Sequence, residues 1–538
     1  MNLHSHTRTL ERNIREIWRS PGRFTKNPDI VRLGNGRLLL VYSDNDAHWS
    51  QESQILTILA SDDNGDTWFK LSSPGMADLR KGDERLVTPR LSRFSDGRLA
   101  VFIDHDDYGH FHEDQPHGIW IYWSHDNGLT WSKPQTPEIP GFEPDRIVEL
   151  PDGRYAAVVQ AMRGQSQQLG LVFYTSSDKG KTWQTISTVL HDGYHQHAEG
   201  GLIVMDNGKL LAVVARENHN AGNPSFVAFS RDSGLSWTAP QMCPFHFHRP
   251  YGKQLADGRV LVTGRNLLGG SGTYAWCGDL KAEAGFYEPG GPLAHYKAGF
   301  EDGIFVIENG PNLDARYTLL PPESSKADIF FEAEVKVEGN DKEFAAFFCV
   351  AGLARPGLVK IAPDLLGLDG IVNTGVDSTS KLDFRQWRTI TLRSRRGLLT
   401  VAVDGKIIFR RMESYNAPVA KDSYCPEPGT RTQFGQLGEK GKSFWRRVSY
   451  RVINPTQPDC AFEWRAADGR HPDHYQRERL TLLHPNVHPK DRGGWPDHGY
   501  SSWLQLDDGT IVFVDYTTAG DKGEEGHLVG GRFRPEDV

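Results

Sequence analysis

The sequence predicts an all-β fold made of six repeated antiparallel sheets, with one large insertion between the fifth and sixth repeats. Three observations carry this prediction: a hairpin pattern that recurs six times, the interval between its copies, and the composition. The chain has 538 residues, with 56 glycines and 11% aromatic residues. Because glycine favours turns and aromatic residues favour strands, this composition suits many short strands better than long helices.

The repeated unit is a run of alternating apolar residues, an Asn-Gly or Asp-Gly pair, and a second apolar run. Such pairs supply the positive φ that tight turns between twisted strands require, so each copy predicts a hairpin. The six copies are 28–44, 89–104, 144–160, 198–216, 249–265 and 499–516. We therefore expect six sheets, each containing one of these hairpins.

The spacing of the turn glycines predicts where the extra chain lies. These glycines stand at 36, 97, 153, 208, 258 and 509, so successive gaps are 61, 56, 55, 50 and 251 residues. The last gap holds roughly 200 residues too many. The predicted domains are the repeats and an N-terminal strand in 1–278, an inserted domain in 279–455, and the remaining repeats in 456–538. The insertion has strand-like alternation, for example in 327–339 and 443–453.

A second motif, Ser-x-Asp-x-Gly-x-(Thr/Ser)-Trp, follows four of the hairpins. Its copies are SDDNGDTW (61–68), SHDNGLTW (124–131), SSDKGKTW (176–183) and SRDSGLSW (230–237). Asp and Gly set a tight turn, and the Trp can pack between neighbouring sheets. We interpret these turns as structural features of the outer strands, away from any chemistry.

Six hairpins with four such Asp boxes resemble the sialidase (neuraminidase) superfamily over about 28–278 and 497–538. The resemblance implies a six-bladed β-propeller, in which residues 7–19 add the strand that closes the last blade. The inserted segment resembles β-sandwiches (jelly-roll) of the laminin-G and concanavalin type. Such a domain serves either as a carbohydrate-binding module or as a spacer or dimerisation domain, and the sequence leaves both readings open.

In a propeller the innermost strands start near the central axis, so their first residues meet at one pocket. Titratable side chains stand at nearly every such start in this sequence, which predicts a charged cleft for an anionic or heavily hydroxylated ligand. They are Lys26, Asp29, Arg90, Glu143, Asp145, Arg146, His195, His197, Glu199, His246, His248, Arg249, Asp497, His498 and Tyr500.

The resemblance also implies roles for particular residues. GYSS at 499–502 is similar to the segment with the family's nucleophilic tyrosine, which makes Tyr500 the candidate nucleophile and Glu199 the glutamate that activates it. A neutral tyrosine is not repelled by a substrate carboxylate, whereas a carboxylate nucleophile is. The family's acid/base aspartate lies in a loop of the first blade, so Asp44 or Asp46 is expected to take this role.

The family opens its first blade with Arg-Ile-Pro, whose Arg grips the substrate carboxylate, but this sequence has Lys26-Asn27-Pro28. A point charge therefore replaces a bidentate fork. Arg216, 17 residues after Glu199, matches one further family arginine. The residues expected to bind substrate are Lys26, Arg90, Arg216, Arg249, Arg265, His105, His195, His197, His248 and His498.

The function expected from these residues is removal of a terminal acidic sugar, sialic acid or a related one, by a retaining exo-glycoside hydrolase. Histidines cluster in 104–117, 191–197 and 245–248, which leaves two alternatives open. One is a propeller lyase or hydrolase that acts on uronate- or rhamnose-containing glycans with His/Tyr acid–base catalysis. The other is a glycan-binding propeller without catalysis.

Composition and missing signals exclude several classes of protein. A net charge of −8 argues against nucleic acid, and no apolar run is long enough for a membrane helix. The five cysteines have no CxxC spacing, and no other metal-ligand pattern is present, so we expect no cofactor and no metal site. No secretory signal is visible, so we expect a cytoplasmic protein, or a periplasmic or secreted one if the natural N-terminus is longer.

Overall fold

The computed structural model has an all-β architecture, which confirms the predicted six-bladed propeller with a β-sandwich inserted between the fifth and sixth hairpins. The residues that the structure describes are 8–105, 118–163, 168–191, 195–218, 224–267, 271–292, 297–309, 315–322, 327–339, 346–350, 357–369, 378–412, 432–436, 441–455, 459–486, 497–519 and 525–538. The stretch 106–117, which holds most of one histidine cluster, lies outside them.

The first four blades follow one another along the chain after two short N-terminal strands, β1 and β2. The strands are β1 (Arg8–Thr9), β2 (Ile14–Trp18), β3 (Phe24–Arg32), β4 (Leu38–Asn45), β5 (Ser53–Ser61), β6 (Phe69–Ser72), β7 (Met76–Asp78), β8 (Val87–Arg93), β9 (Leu99–His105), β10 (Gly118–Ser124), β11 (Val148–Glu149), β12 (Tyr155–Arg163), β13 (Gln168–Ser176), β14 (Gln184–Thr188), β15 (His197–Met205), β16 (Leu210–Glu217), β17 (Phe226–Ser230) and β18 (Gln241–Met242). Blade 1 contains β3–β7, blade 2 β8–β10, blade 3 β11–β14 and blade 4 β15–β18.

Blade 5 begins before the insertion and is completed after it. Its first strands are β19 (His248–Gln254), β20 (Val260–Asn266) and β21 (Gly272–Gly278). The insertion then contributes a short helix α1 (Leu280–Glu283) and strands β22 (Lys297–Glu301), β23 (Ile304–Asn309), β24 (Ala315–Thr318), β25 (Asp328–Glu338), β26 (Ala346–Val350), β27 (Gly357–Ala362), β28 (Leu365–Asp369), β29 (Ser378–Lys381), β30 (Arg388–Arg395), β31 (Leu398–Val403), β32 (Lys406–Met412), β33 (Gln433–Gln436), β34 (Gly441–Ile453) and β35 (Cys460–Arg465).

The insertion folds as two antiparallel sheets that face each other. One sheet has the order β22-β23-β34-β25-β30-β31-β32 with β35 on β34, and the other has β24-β33-β26-β27-β28-β29. Inward residues alternate with outward ones along β25, and the Phe331 and Phe348 rings stack across the core with centroids 3.6 Å apart. The sandwich extends past the predicted boundary at 455, because β35 turns Cys460, Phe462 and Trp464 into the same core.

The chain then returns to the propeller. A short helix α2 (His474–Arg479) leads to β36 (Thr481–Pro485), which pairs with β21 in blade 5, while β1 adds to the other edge of β36 in parallel. Blade 6 has the order β2-β39-β38-β37, with β37 (His498–Gln505), β38 (Ile511–Thr517) and β39 (His527–Phe533). A strand from the N-terminus therefore forms the outer edge of the last blade and joins the two ends of the propeller.

Side chains on the inner strands link one blade to the next. An Asp29 oxygen accepts the Leu91 backbone N–H at 2.7 Å, and an Asp145 oxygen accepts the Leu202 N–H at 2.9 Å. Ser502 Oγ accepts the Ile30 N–H at 3.2 Å, which joins blade 6 to blade 1. These bonds satisfy buried N–H groups that face a neighbouring blade and therefore fix how the inner strands converge.

Candidate functional site

A backbone feature repeats at the start of all six inner strands. Each has a bulge, or in blade 3 an equivalent irregularity, at which one residue other than glycine has φ between 49° and 63°. The six residues are Asn27, Thr88, Glu143, Glu199, Arg249 and Tyr500. This left-handed conformation costs on the order of 1–3 kcal/mol per residue, and bulges beside functional sites re-aim side chains. The propeller therefore holds one strained residue per blade at its axis.

Tyr500 and Glu199 meet across this axis. Tyr500 Oη donates a hydrogen bond to Glu199 Oε1 at 2.8 Å, although the two residues are 301 positions apart in sequence. The other oxygen of Glu199, Oε2, accepts from Arg216 Nη1 at 3.0 Å. Arg216 Nη1 also lies 3.3 Å from His248 Nδ1, and since arginine can only donate, that nitrogen is the acceptor.

The surroundings give this pair opposite proton states. Burial raises the pKa of Tyr500 well above 10, and the nearby Glu143 and Glu199 carboxylates raise it further, against the opposing effect of the arginines. Burial also raises the pKa of Glu199, but the guanidiniums of Arg216, Arg265 and Arg249 outweigh it, so the net pKa lies below its ordinary value. At neutral pH the tyrosine keeps its proton and the glutamate is ionised, which makes Glu199 the proton acceptor.

Two guanidiniums lie over the Tyr500 ring. The Arg249 guanidinium carbon is 4.9 Å and the Arg90 carbon 5.7 Å from the ring centre. Arg249 is paired, since its Nη1 lies 3.2 Å from Glu143 Oε2 and its Nη2 donates to the Pro144 carbonyl at 2.9 Å. Burial, followed by interaction with Glu199, raises the pKa of Glu143 in spite of Arg249.

We call the end of the propeller where the six bulges meet its mouth. Arg90 differs from the other arginines of this mouth. Its side chain is buried, with 2% of its surface exposed, and its Nε and Nη1 have no hydrogen-bond partner among the described residues. Burial and the neighbouring Arg249 lower the pKa of Arg90 to about 10, so it remains a cation at neutral pH. Asp29 and Asp145 act on this charge only from a distance, and no carboxylate of the described residues lies within 4.0 Å of it, so this position favours an anionic ligand group.

The rim between blades 6 and 1 carries a second network. His48 Nδ1 lies 2.5 Å from Asp497 Oδ2, and Tyr516 Oη donates to Asp497 Oδ1 at 2.7 Å. Arg265 Nη1 lies 3.8 Å from the same Asp497 oxygen. Lys26 Nζ donates to the His48 carbonyl at 2.8 Å, and burial lowers the pKa of Lys26.

The two aspartates expected to supply acid/base chemistry have other contacts. Asp44 accepts hydrogen bonds from Ser20 Oγ at 2.9 Å and from Arg23 Nε at 2.5 Å. Asp46 accepts from Ser50 Oγ and from the backbone N–H groups of 51, 52 and 53, all within its own loop. Burial acts to raise the pKa of Asp46, but these bonds outweigh it and lower it strongly. Neither contact set joins an aspartate to Tyr500.

The predicted histidines are distributed unevenly. His248 touches Arg216, and the backbone carbonyl of His498 accepts from Arg265 Nη1 at 3.3 Å. His195 and His197 are buried, and their rings pack 4.7 and 5.1 Å from Phe226 within blade 4. His105 stacks on Trp120 and pairs with Glu84 in blade 2. The structure therefore joins Lys26, Arg90, Arg216, Arg249, Arg265, His248 and His498 to the mouth and directs the other three histidines to the blades.

Sequence reasoning placed Glu143 and Asp497 in the charged cleft without a specific role and did not single out His48. The spacing of the repeats could have pointed to Glu143. The bulge residue with positive φ stands nine residues before the turn glycine in five blades and ten before it in blade 3, where it is Glu143. His48 carries no such signal, since its partner Asp497 is 449 residues away. Among the described residues, no group of three or more His, Cys, Asp or Glu is arranged to hold a metal ion. None of the helices in the described part is long and apolar enough to cross a membrane.

Comparisons with known proteins return similar folds at low identity. A protein of unknown function from Dyadobacter fermentans is 19% identical over 59% of this chain and 95% of its own, with a TM-score of 0.44. The Hadza microbial sialidase Hz136 is 16% identical over 53% of this chain and 63% of its own, with a TM-score of 0.39. Trypanosoma rangeli sialidase in complex with the inhibitor DANA is 11% identical over 79% and 92%, with a TM-score of 0.37. No family model and no curated protein matches the chain.

Proposed function

We propose that this protein is a retaining exo-glycoside hydrolase that removes a terminal acidic sugar, sialic acid or a related one, from glycans. The observation that carries the proposal is the 2.8 Å hydrogen bond from the protonated Tyr500 Oη to the ionised Glu199. As the tyrosine oxygen attacks the anomeric carbon, its proton passes to Glu199, so a neutral phenol becomes a nucleophile without an anion building up in the site. Water then releases the sugar from the tyrosine with retention of configuration.

The charges of the mouth support an anionic substrate. Arg216, Arg249 and Arg265 each have a carboxylate of the chain within 4.0 Å. Arg90 and Lys26, from blades 2 and 1, have none among the described residues. These two cations are therefore the ones available to a substrate carboxylate, while the paired arginines hold Glu199 ionised and Tyr500 in place. Because the Lys26 ammonium is a point charge, the buried Arg90 supplies the planar guanidinium that can bind a carboxylate through two hydrogen bonds.

The test is a product screen on three substrate classes: sialosides, uronate-terminated oligosaccharides and rhamnosides. The proposal expects release of a free sugar from an acidic substrate, and Tyr500→Phe should lower turnover by about 10³-fold or more. Tyr122→Phe is the matched control, since Tyr122 is buried in blade 2 and its hydroxyl makes no hydrogen bond to the described residues.

Other outcomes overturn the proposal in distinguishable ways. An ultraviolet-absorbing unsaturated uronate would identify β-elimination, which is the lyase alternative. Binding of a glycan without any product would identify a glycan-binding propeller. Full turnover by the Tyr500→Phe variant would remove the nucleophile assignment while leaving hydrolysis intact.

A further inference from the structure

Glycoside hydrolysis needs a group that protonates the departing oxygen, and the aspartates expected from sequence are badly placed for it. A proton donor must carry a proton at working pH and must have a free direction toward the substrate. Asp46 accepts hydrogen bonds on both oxygens from its own loop, and Asp44 is held by Ser20 and Arg23. Both carboxylates are therefore occupied as acceptors, which argues against either one as the proton donor.

His48 has the surroundings that such a donor requires. It lies in the loop between β4 and β5, and its side chain is 35% exposed, so part of the ring faces solvent. Its Nδ1 lies 2.5 Å from Asp497 Oδ2. The Phe24 and Trp49 rings lie at centroid distances of 5.3 and 5.1 Å and hold the imidazole from two other directions.

Asp497 connects this histidine to the Tyr500 side of the mouth. Its second oxygen accepts from Tyr516 Oη, and the Tyr516 ring lies 6.5 Å from the Tyr500 ring. Burial acts to raise the pKa of Asp497, but the hydrogen bond and charge of His48, together with Arg265, bring it down to about 2. Asp497 is therefore ionised at every working pH, and a carboxylate oxygen beside Nδ1 favours a proton on that nitrogen, which leaves Nε2 as the nitrogen that can exchange a proton.

We propose that His48 is the general acid/base of this enzyme and that Asp497 positions it; the proposal rests on the hydrolase function argued above. The charged groups around the imidazole are the Asp497 carboxylate, 2.5 Å from Nδ1, and the Lys26 ammonium, which is bonded to the His48 carbonyl. Arg265 lies beyond Asp497 and keeps that carboxylate ionised.

His48 gives up a proton in the first half of the reaction and regains one in the second half. In the first half, the imidazolium Nε2–H of His48 passes to the glycosidic oxygen as the bond from that oxygen to the anomeric carbon breaks. The Tyr500 oxygen bonds to the same carbon, and its proton moves to Glu199. In the second half, the neutral Nε2 removes a proton from water, the water oxygen bonds to the anomeric carbon, and Tyr500 leaves and regains its proton from Glu199.

The test compares leaving groups. Wild type, His48→Gln and Asp46→Asn are assayed on two glycosides of the same acidic sugar, one with a nitrophenyl leaving group and one with a sugar leaving group. A nitrophenolate departs without protonation, so His48→Gln should lose less than about tenfold on it but about 10²–10⁴-fold on the sugar glycoside. His125→Gln, an exposed histidine in an outer turn of blade 2, is the matched control and should match wild type on both.

A second variant tests the positioning role. Asp497→Asn removes the carboxylate beside Nδ1, so it should repeat the leaving-group difference of His48→Gln, with kcat falling more on the sugar glycoside than on the nitrophenyl glycoside and KM unchanged. Equal losses of His48→Gln on both glycosides, or equal losses of Asp497→Asn on both, would overturn the proposal. If Asp46→Asn instead lost much more activity on the sugar glycoside than on the nitrophenyl glycoside, Asp46 would be the general acid/base. Loss of the hydrolase function itself is read separately, from turnover of the nitrophenyl glycoside by wild type and Tyr500→Phe.

Discussion

Two features recur from blade to blade: the inner bulges at the mouth and the Trp-containing turns at the outer strands. The turns repeat their side chains and hydrogen bonds, whereas the bulges repeat only their backbone conformation. In the turn 61–68, Gly65 N–H donates to Ser61 Oγ at 2.8 Å and Thr67 Oγ1 donates to Asp63 at 2.5 Å. The same bonds recur in the other three turns, at 124–131, 176–183 and 230–237. The inner bulges instead keep one backbone conformation and carry five different residue types in six blades, with only glutamate occurring twice.

The comparison indicates which of the two repeated features carries the functional side chains. Where residues and hydrogen bonds repeat together, the side chains satisfy the local backbone, which is a structural task. Where only the strained backbone repeats, it acts as a frame that presents Glu143, Glu199, Arg249 and Tyr500 to a common point. We therefore expect substitutions at the mouth to affect activity first and substitutions in the outer turns to affect stability alone.

The largest effect is expected for Glu199→Gln. The amide cannot take the Tyr500 proton, so kcat should fall by about 10²–10⁴-fold. Arg216 also loses its buried counter-charge, which should cost about 3 kcal/mol of unfolding free energy. Enzyme kinetics and urea unfolding measure the two effects. Asp62→Asn, which breaks an exposed pair with Arg37, is the matched control and should change neither; a wild-type kcat for Glu199→Gln would contradict the account.

Arg90→Met should separate binding from stability. Arg90 has no carboxylate within 4.0 Å among the described residues, so removing this buried cation should raise the unfolding free energy by about 1–3 kcal/mol, because no desolvated charge remains. The same change should raise KM for an acidic sugar by about 10–100-fold. Arg154→Met, at an exposed hairpin turn of blade 3, serves as control in both assays. A variant less stable than wild type would show that Arg90 is a structural cation after all.

Glu143→Gln should alter how stability depends on pH. Because burial raises the pKa of Glu143 in the folded state, its contribution to stability is full below the unfolded value near 4.5 and is lost as pH rises through the folded pKa. The glutamine cannot ionise, so the variant should gain stability relative to wild type as pH rises above about 4.5. Melting curves across that range measure the gain, and parallel curves would contradict it.

The smallest effect is expected in the outer turns, with the opposite sign. Hydrogen bonds from Thr67 and Ser61 lower the pKa of Asp63 to about 2. Its stabilisation is present above the unfolded value near 3.8 and is lost as pH falls through about 2. Asp63→Asn should therefore be slightly less stable than wild type at neutral pH, with the gap closing in acid and activity unchanged. A loss of activity would remove the distinction between the two repeats.

Most of the fold was predictable because its signal is local. Gly36 and Gly97 mark hairpins within a few residues of chain, and the long interval after Gly258 locates the insertion. The end of the sandwich was missed, because β35 looks like any alternating strand until its pairing with β34 is known.

The site was predictable only where a motif carried it. Tyr500 and Glu199 stand in recognisable segments, and the structure brings them together. Asp46 could not be judged from sequence, because its role depends on how its own loop folds back, and Asp44 could not, because its partners Ser20 and Arg23 come from the segment before β3. His48 and Asp497 meet only when the last blade closes against the first, and no local pattern reports that contact.

The assignment of Tyr500 as the nucleophile is tested most directly by peptide mass spectrometry of protein treated with a fluorinated acidic glycosyl fluoride, in sialosyl and uronosyl forms. The fluorine next to the anomeric carbon slows release of a covalent sugar from the enzyme. The account predicts a sugar adduct on the peptide that contains Tyr500, absent from Tyr500→Phe and retained in Tyr122→Phe. An adduct on any other residue, or hydrolysis of these reagents by Tyr500→Phe at the wild-type rate, would contradict it.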